Sequence, residues 1–99
     1  MLKHIVMMKL KQAEVSVFKE RQLKLESMLK ELKKHIPSLY KIEIGLNISD
    51  RPTAYDIVLV SEFKNEANLN EYRVHPKHVE ALTYIKEVVA EAKVVDYIL

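Results

Sequence analysis

The sequence predicts an α+β domain of ferredoxin-like type, in which a four-stranded antiparallel sheet carries its helices on one face. Three observations carry this expectation. Apolar residues alternate with period two in four separate stretches; between them, two regions repeat apolar residues at helical spacing; and the resulting order is β-α-β-β-α-β. With 99 residues the chain is long enough for one core and too short for two, so a single domain spanning 1–99 is expected.

Leu2 to Leu10 reads as a strand with Leu2, His4, Val6, Met8 and Leu10 on one face and Lys3, Ile5, Met7 and Lys9 on the other. Helical spacing follows from about Glu14 to His35. Phe18, Leu25, Leu29, Leu32 and Ile36 fall close to one stripe, and Pro37 ends the helix by forcing Ile36 out of the helical region. Leu39 to Asn47 alternates again, with Tyr40, Ile42, Ile44 and Leu46 on one side, and the turn formers of Asn47 to Thr53 then break the run. Tyr55 to Phe63 is the third strand, with Tyr55, Ile57, Leu59 and Phe63 opposite Asp56, Val58, Val60 and Glu62. A hairpin joins it to the second.

Asn65 is placed to cap a short helix through Tyr72, and Pro76 suits the first turn of another with His75 at its cap. Val79, Leu82, Ile85 and Val89 suggest that this second helix runs to about Glu91 and buries that stripe. Lys93 to Leu99 returns to a β-type mixture for the last strand. Ile5, Met7, Val58 and Val60 lie opposite the main apolar faces, so a monomer would leave an apolar sheet surface open. A symmetric homodimer packed through that face is the expected remedy.

Composition narrows the function classes. Hydrophobic residues at 48% and charged residues at 30%, with a single Gly, describe a globular chain without long disordered tracts. A formal charge of +2 is far from the basic balance of nucleic-acid binders, and the absence of Cys excludes disulfides, thiolate metal sites and Cys nucleophiles. No apolar run approaches the ~18 residues of a membrane span, and the apolar opening is too short for a secretory signal. A cytoplasmic protein with no nucleic-acid or membrane partner is expected. One glycine leaves no room for a phosphate-binding loop, and no cofactor is expected.

The densest polar cluster is Tyr72-Arg73-Val74-His75-Pro76-Lys77-His78, between the two C-terminal helices. It offers a phenol and two imidazoles near a helix N-terminus, where the dipole favours developing negative charge. Proton abstraction next to a carbonyl suits such a set, with a neutral His as base and a Tyr hydroxyl on the enolate oxygen. His4, on the apolar face of the first strand, is placed to line the same pocket. Each residue also has a structural reading. His75 serves equally as a helix cap, His4 as a hydrogen-bonded core histidine, and Tyr72 and His78 as buried polar groups satisfied by their neighbours. His75 and His78 lack a nearby third ligand, so no metal site is expected. Asp56, Glu62 and Asp96 sit at alternating strand positions and read as surface or interface groups.

Lys3-His4-Ile5-Val6, Ile36-Pro37, Glu43-Ile44-Gly45-Leu46-Asn47, Tyr55-Asp56, Phe63, Tyr72, His75-Pro76-x-His78 and Val95-Asp96-Tyr97 together resemble the stress-responsive A/B barrel (Dabb) family across nearly the whole chain. The resemblance implies a dimeric α+β barrel in which two sheets pack together and each subunit holds a cavity between sheet and helices. Family members include plant stress-induced proteins, plant polyketide cyclases and many bacterial proteins without assigned activity. In the cyclases, the Tyr and second His of the shared segment form the acid/base pair, which implies Tyr72 as acid and His78 as base. Ligand contacts would then come from His4, His75, Phe18, Met28 and Leu82. The shared architecture also implies a cofactor-free monooxygenase as an alternative. A small homodimeric protein binding a hydrophobic or carbonyl-bearing molecule therefore stands beside a non-catalytic interaction protein whose interior is filled by its own side chains.

Overall fold

A computed structural model describes residues 1–99. The elements are β1 (Leu2–Leu10), α1 (Val15–His35), β2 (Lys41–Leu46), β3 (Ile57–Phe63), α2 (Glu66–Val74), α3 (Pro76–Val88) and β4 (Val89–Ile98). The strands form one antiparallel sheet of order β2-β3-β1-β4, which is the ferredoxin-like arrangement with its second helical region split in two. No helix is long and apolar enough to cross a membrane.

Alternation in β1 has the expected result: Leu2, His4, Met8 and Leu10 are buried under the helices, with Val6 packed against the core. Leu25, Leu29 and Leu32 of α1 meet them, and Ile36 closes the helix with its N–H on the Leu32 carbonyl before Pro37. In β3 the residues Ile57, Leu59, Ser61 and Phe63 point the same way, and the Ser61 hydroxyl donates to the His4 carbonyl at 3.1 Å. A polar residue is thereby accommodated in the core without an unpaired hydroxyl.

Three boundaries or faces differ from the sequence expectation. The third strand starts at Ile57 rather than Tyr55. Asp56 instead ties the corner: its N–H donates to the Met8 carbonyl, its carboxylate accepts the Leu10 N–H at 2.7 Å, and its carbonyl accepts the Gln22 side chain. The last helix ends at Val88, not Glu91, because Val89 to Ala92 already pair with Leu10 to Met8 of β1. Ladder hydrogen bonds gained there outweigh the helical preference of a short Ala-Glu run. The face of α3 is also turned. Ala81, Tyr84 and Val88 are buried, Leu82 and Ile85 flank them, and Val79 is exposed, because α3 must pack on α1 as well as on the sheet.

Opposite the helices, Ile5 faces Val60 and Met7 faces Val58 across the β1/β3 ladder, and Ile5 faces Val95 across β1/β4. These side chains form the apolar centre of an uncovered sheet face, as the alternation implies. Along strand β4, every residue from Ala90 to Ile98 is exposed.

Candidate functional site

The polar cluster assembles around Tyr72. Asn65 begins α2 by accepting the Asn68 N–H at 2.9 Å, and Tyr72 follows two turns later with its ring buried. His75 then separates the helices: its N–H donates to the Tyr72 carbonyl, its Nδ1 accepts the Lys77 N–H at 3.1 Å, and Pro76 occupies the first position of α3. His75 is thus engaged as a cap. The tight junction swings His78, on the first turn of α3, over the Tyr72 ring with centroids 4.3 Å apart. Phe63 closes the other side of Tyr72 at 5.0 Å, and His4 approaches edge-on at 6.4 Å.

Hydrogen bonds determine the tautomers. His78 Nδ1 lies 3.0 Å from the Arg73 carbonyl, which can only accept, so Nδ1 carries the hydrogen and Nε2 keeps its lone pair. Burial lowers the His78 pKa below the usual histidine value, and the nearby charges of His4 and Arg73 push the same way against the backbone hydrogen bond. The ring is therefore neutral near pH 7. His4 is buried, and its Nδ1 is hydrogen-bonded to the Asp96 carboxylate directly across the β1/β4 ladder. Arg73 Nη2 holds the second Asp96 oxygen at 3.3 Å, so the carboxylate links α2 to the histidine.

The Tyr72 hydroxyl differs from every other group in the cluster. It is buried and has no hydrogen-bond partner, and burial pushes its pKa up to about 12. A phenol held so firmly in its protonated form is a hydrogen-bond donor with nothing to receive the bond.

Among the side chains expected at one pocket, His4, Tyr72 and His78 converge, while Phe18 and Met28 border different clefts. Phe18 lines a cleft of about 430 Å³ with Gln22, Asn47 and Asp56, and Met28 lines one of about 160 Å³ with His35, Lys77 and Ala81. Leu82 is half-buried on α3. A cleft between α2 and β4 of about 230 Å³ is bordered by Leu2, Leu69, Arg73, Asp96 and Ile98; it meets the Arg73–Asp96 pair, and Tyr72, His78 and His4 do not line it. Asp96 and Arg73 are the site residues that sequence reasoning missed. The signal for Asp96 was present in the strand register, since pairing the first and last strands end to end sets it opposite His4. No group of three or more His, Asp or Glu side chains is gathered as a metal ion would require.

Residues 2–99 match the family described as the stress responsive A/B barrel domain. A dimeric protein of unknown function and ferredoxin-like fold from Bacteroides fragilis is 31% identical, with 99% of this chain and 95% of that chain covered at a TM-score of 0.91. A Dabb family protein from Mesorhizobium loti is 24% identical over 99% and 95% of the two chains, at 0.71. A hydroxynitrile lyase from Passiflora edulis shares the fold at 18% identity, covering 99% and 92%, with a TM-score of 0.84. No curated protein matches the chain.

Proposed function

The chain belongs to the stress responsive A/B barrel domain family, and from that premise we propose that it is a one-domain homodimer that binds a small carbonyl-bearing molecule at Tyr72 and His78. Dimerisation is supported by the apolar open face around Ile5, Met7, Val58 and Val60 and by the dimeric relative from Bacteroides fragilis. The ligand reading is carried by one observation, the buried Tyr72 hydroxyl without a partner. Leaving such a donor unpaired costs about 1–3 kcal/mol, a cost that a ligand oxygen accepting its hydrogen bond would offset.

The chemistry follows from the two protonation states. Neutral His78, with its Nε2 lone pair free, is a base for a proton next to the carbonyl; Tyr72 remains protonated and stabilises the developing enolate oxygen by hydrogen bonding. Asp96 holds the His4 ring in place beside them. An aryl methyl ketone in deuterium oxide provides the test. Wild-type protein is expected to accelerate exchange of the methyl protons, read by proton NMR, and His78→Gln and Tyr72→Phe are each expected to lose most of the acceleration. If wild type and His78→Gln exchange the ketone at equal rates, the cluster has no such role and the protein is better read as a non-catalytic interaction module.

A further inference from the structure

We infer that Arg73 is a gate: paired with Asp96 it closes the Tyr72 site, and on moving to Glu66 it opens that site to the cleft between α2 and β4. The gate stands on the ligand reading above and supplies the path to it. A path is needed because the Tyr72 hydroxyl is buried and the His4 side chain is only 11% exposed. A hydroxyl closed off even from water is out of reach of a ketone until something moves.

The cleft ends where movement is easiest. Leu2, Leu69 and Ile98 give it apolar walls, and Glu66, Arg73 and Asp96 give it charge. Behind Asp96 stands His4, joined to it through Nδ1, and the His4 ring lies 6.4 Å from the Tyr72 ring, centroid to centroid. The bond from Arg73 Nη2 to Asp96 Oδ2, at 3.3 Å, is the single polar link between α2 and β4. Both partners are partly exposed, and an ion pair in contact with water is worth little, so this one breaks and re-forms readily. Asp96 is held back by His4 across the β1/β4 ladder, which leaves the arginine as the moving partner.

Arg73 has a second place to go. Its Nη1 already donates to Asn70 Oδ1 at 3.1 Å, nearly one turn back along α2. Glu66 lies almost two turns before Arg73, which sets it on the same face of the helix; it borders the same cleft and has no ion-pair partner. A swing of the guanidinium along α2 therefore exchanges one carboxylate for another while Asp96 keeps its bond to His4. The two positions differ by little more than one surface ion pair, which is the near balance that a gate requires.

Histidine acylation reads the gate without using the ketone reaction. Diethyl pyrocarbonate is applied briefly at pH 7; cleavage after Lys and Arg then leaves His4, His35, His75 and His78 each in its own peptide, and mass spectrometry gives four separate rates. Wild-type His4 is expected to react slowly beside the exposed His35. Arg73→Met keeps the stem and removes the charge; it should speed His4 by roughly two- to fivefold, the range set by an exposed ion pair, and Arg73→Lys should restore protection. Glu66→Gln removes the open-state partner and should slow His4. Loss of a neighbouring cation makes an imidazole easier to protonate and slower to acylate, so a faster His4 reports access rather than charge. An unchanged His4 rate in Arg73→Met or Glu66→Gln overturns the inference, as does a wild-type His4 as reactive as His35, or a rise shared by His75, the mark of an unravelled α2. A gate that works in a protein without ketone exchange refutes the catalytic reading alone, and a fixed His4 rate beside active exchange refutes the gate alone.

Discussion

Replacing Tyr72 by Phe removes one oxygen atom and nothing else from the centre of the candidate site. The ring stays wedged between His78 at 4.3 Å and Phe63 at 5.0 Å, so no cavity opens and the packing contribution is retained. What disappears is a buried hydroxyl without a partner. An unsatisfied buried polar group costs about 1–3 kcal/mol, and an isosteric apolar replacement recovers that amount. Even the lower limit of about 1 kcal/mol corresponds to a Tm increase of roughly 4–8 °C for a domain near 100 residues. The assay is thermal unfolding of ligand-free wild type and variant at pH 7 and at one protein concentration, because the melting point of a dimer depends on concentration. A Tm raised by several degrees together with lost ketone exchange describes a group retained for function at the expense of stability. A Tm lowered by several degrees would mean that the hydroxyl has a partner in solution, and the ligand argument would lose its basis.

Two further outcomes follow from the same geometry. Val60→Lys places a charge in the apolar centre of the open face, where Val60 lies opposite Ile5, and sedimentation at micromolar concentration should show monomers; an unchanged dimer mass would move the interface elsewhere. Because burial lowers the His78 pKa, the unfolded chain takes up this proton first as pH falls through about 6.5, so the contribution to stability declines below that value and is constant above it. Urea unfolding at pH 7.5 and 5.5 should therefore show a greater loss in wild type than in His78→Gln, and equal losses would refute the assignment.

Much of the site was legible because its signals are local. Asn65, Pro76 and His75 act on backbone groups within three residues, so their capping roles follow from residue type and spacing. The meeting of Tyr72 and His78 is likewise a product of one short junction. Asp96 was not legible in this way: its bond to His4 spans 92 residues and exists only because β1 and β4 pair in one register. Phe18 and Met28 share the apolar character of a pocket wall, but α1 directs them to separate clefts, and no local pattern encodes which side of a helix meets which space.

By itself the sequence determined the strand and helix order, the buried face of β1 and the existence of a second apolar sheet face, since alternation and helical spacing are properties of neighbouring residues. Tertiary structure decided the end of α3, the face α3 buries, the partner of His4 and the isolation of the Tyr72 hydroxyl. Each of these depends on which distant backbone groups and side chains compete for the same hydrogen bonds and the same space, and that competition begins only when the sheet has formed.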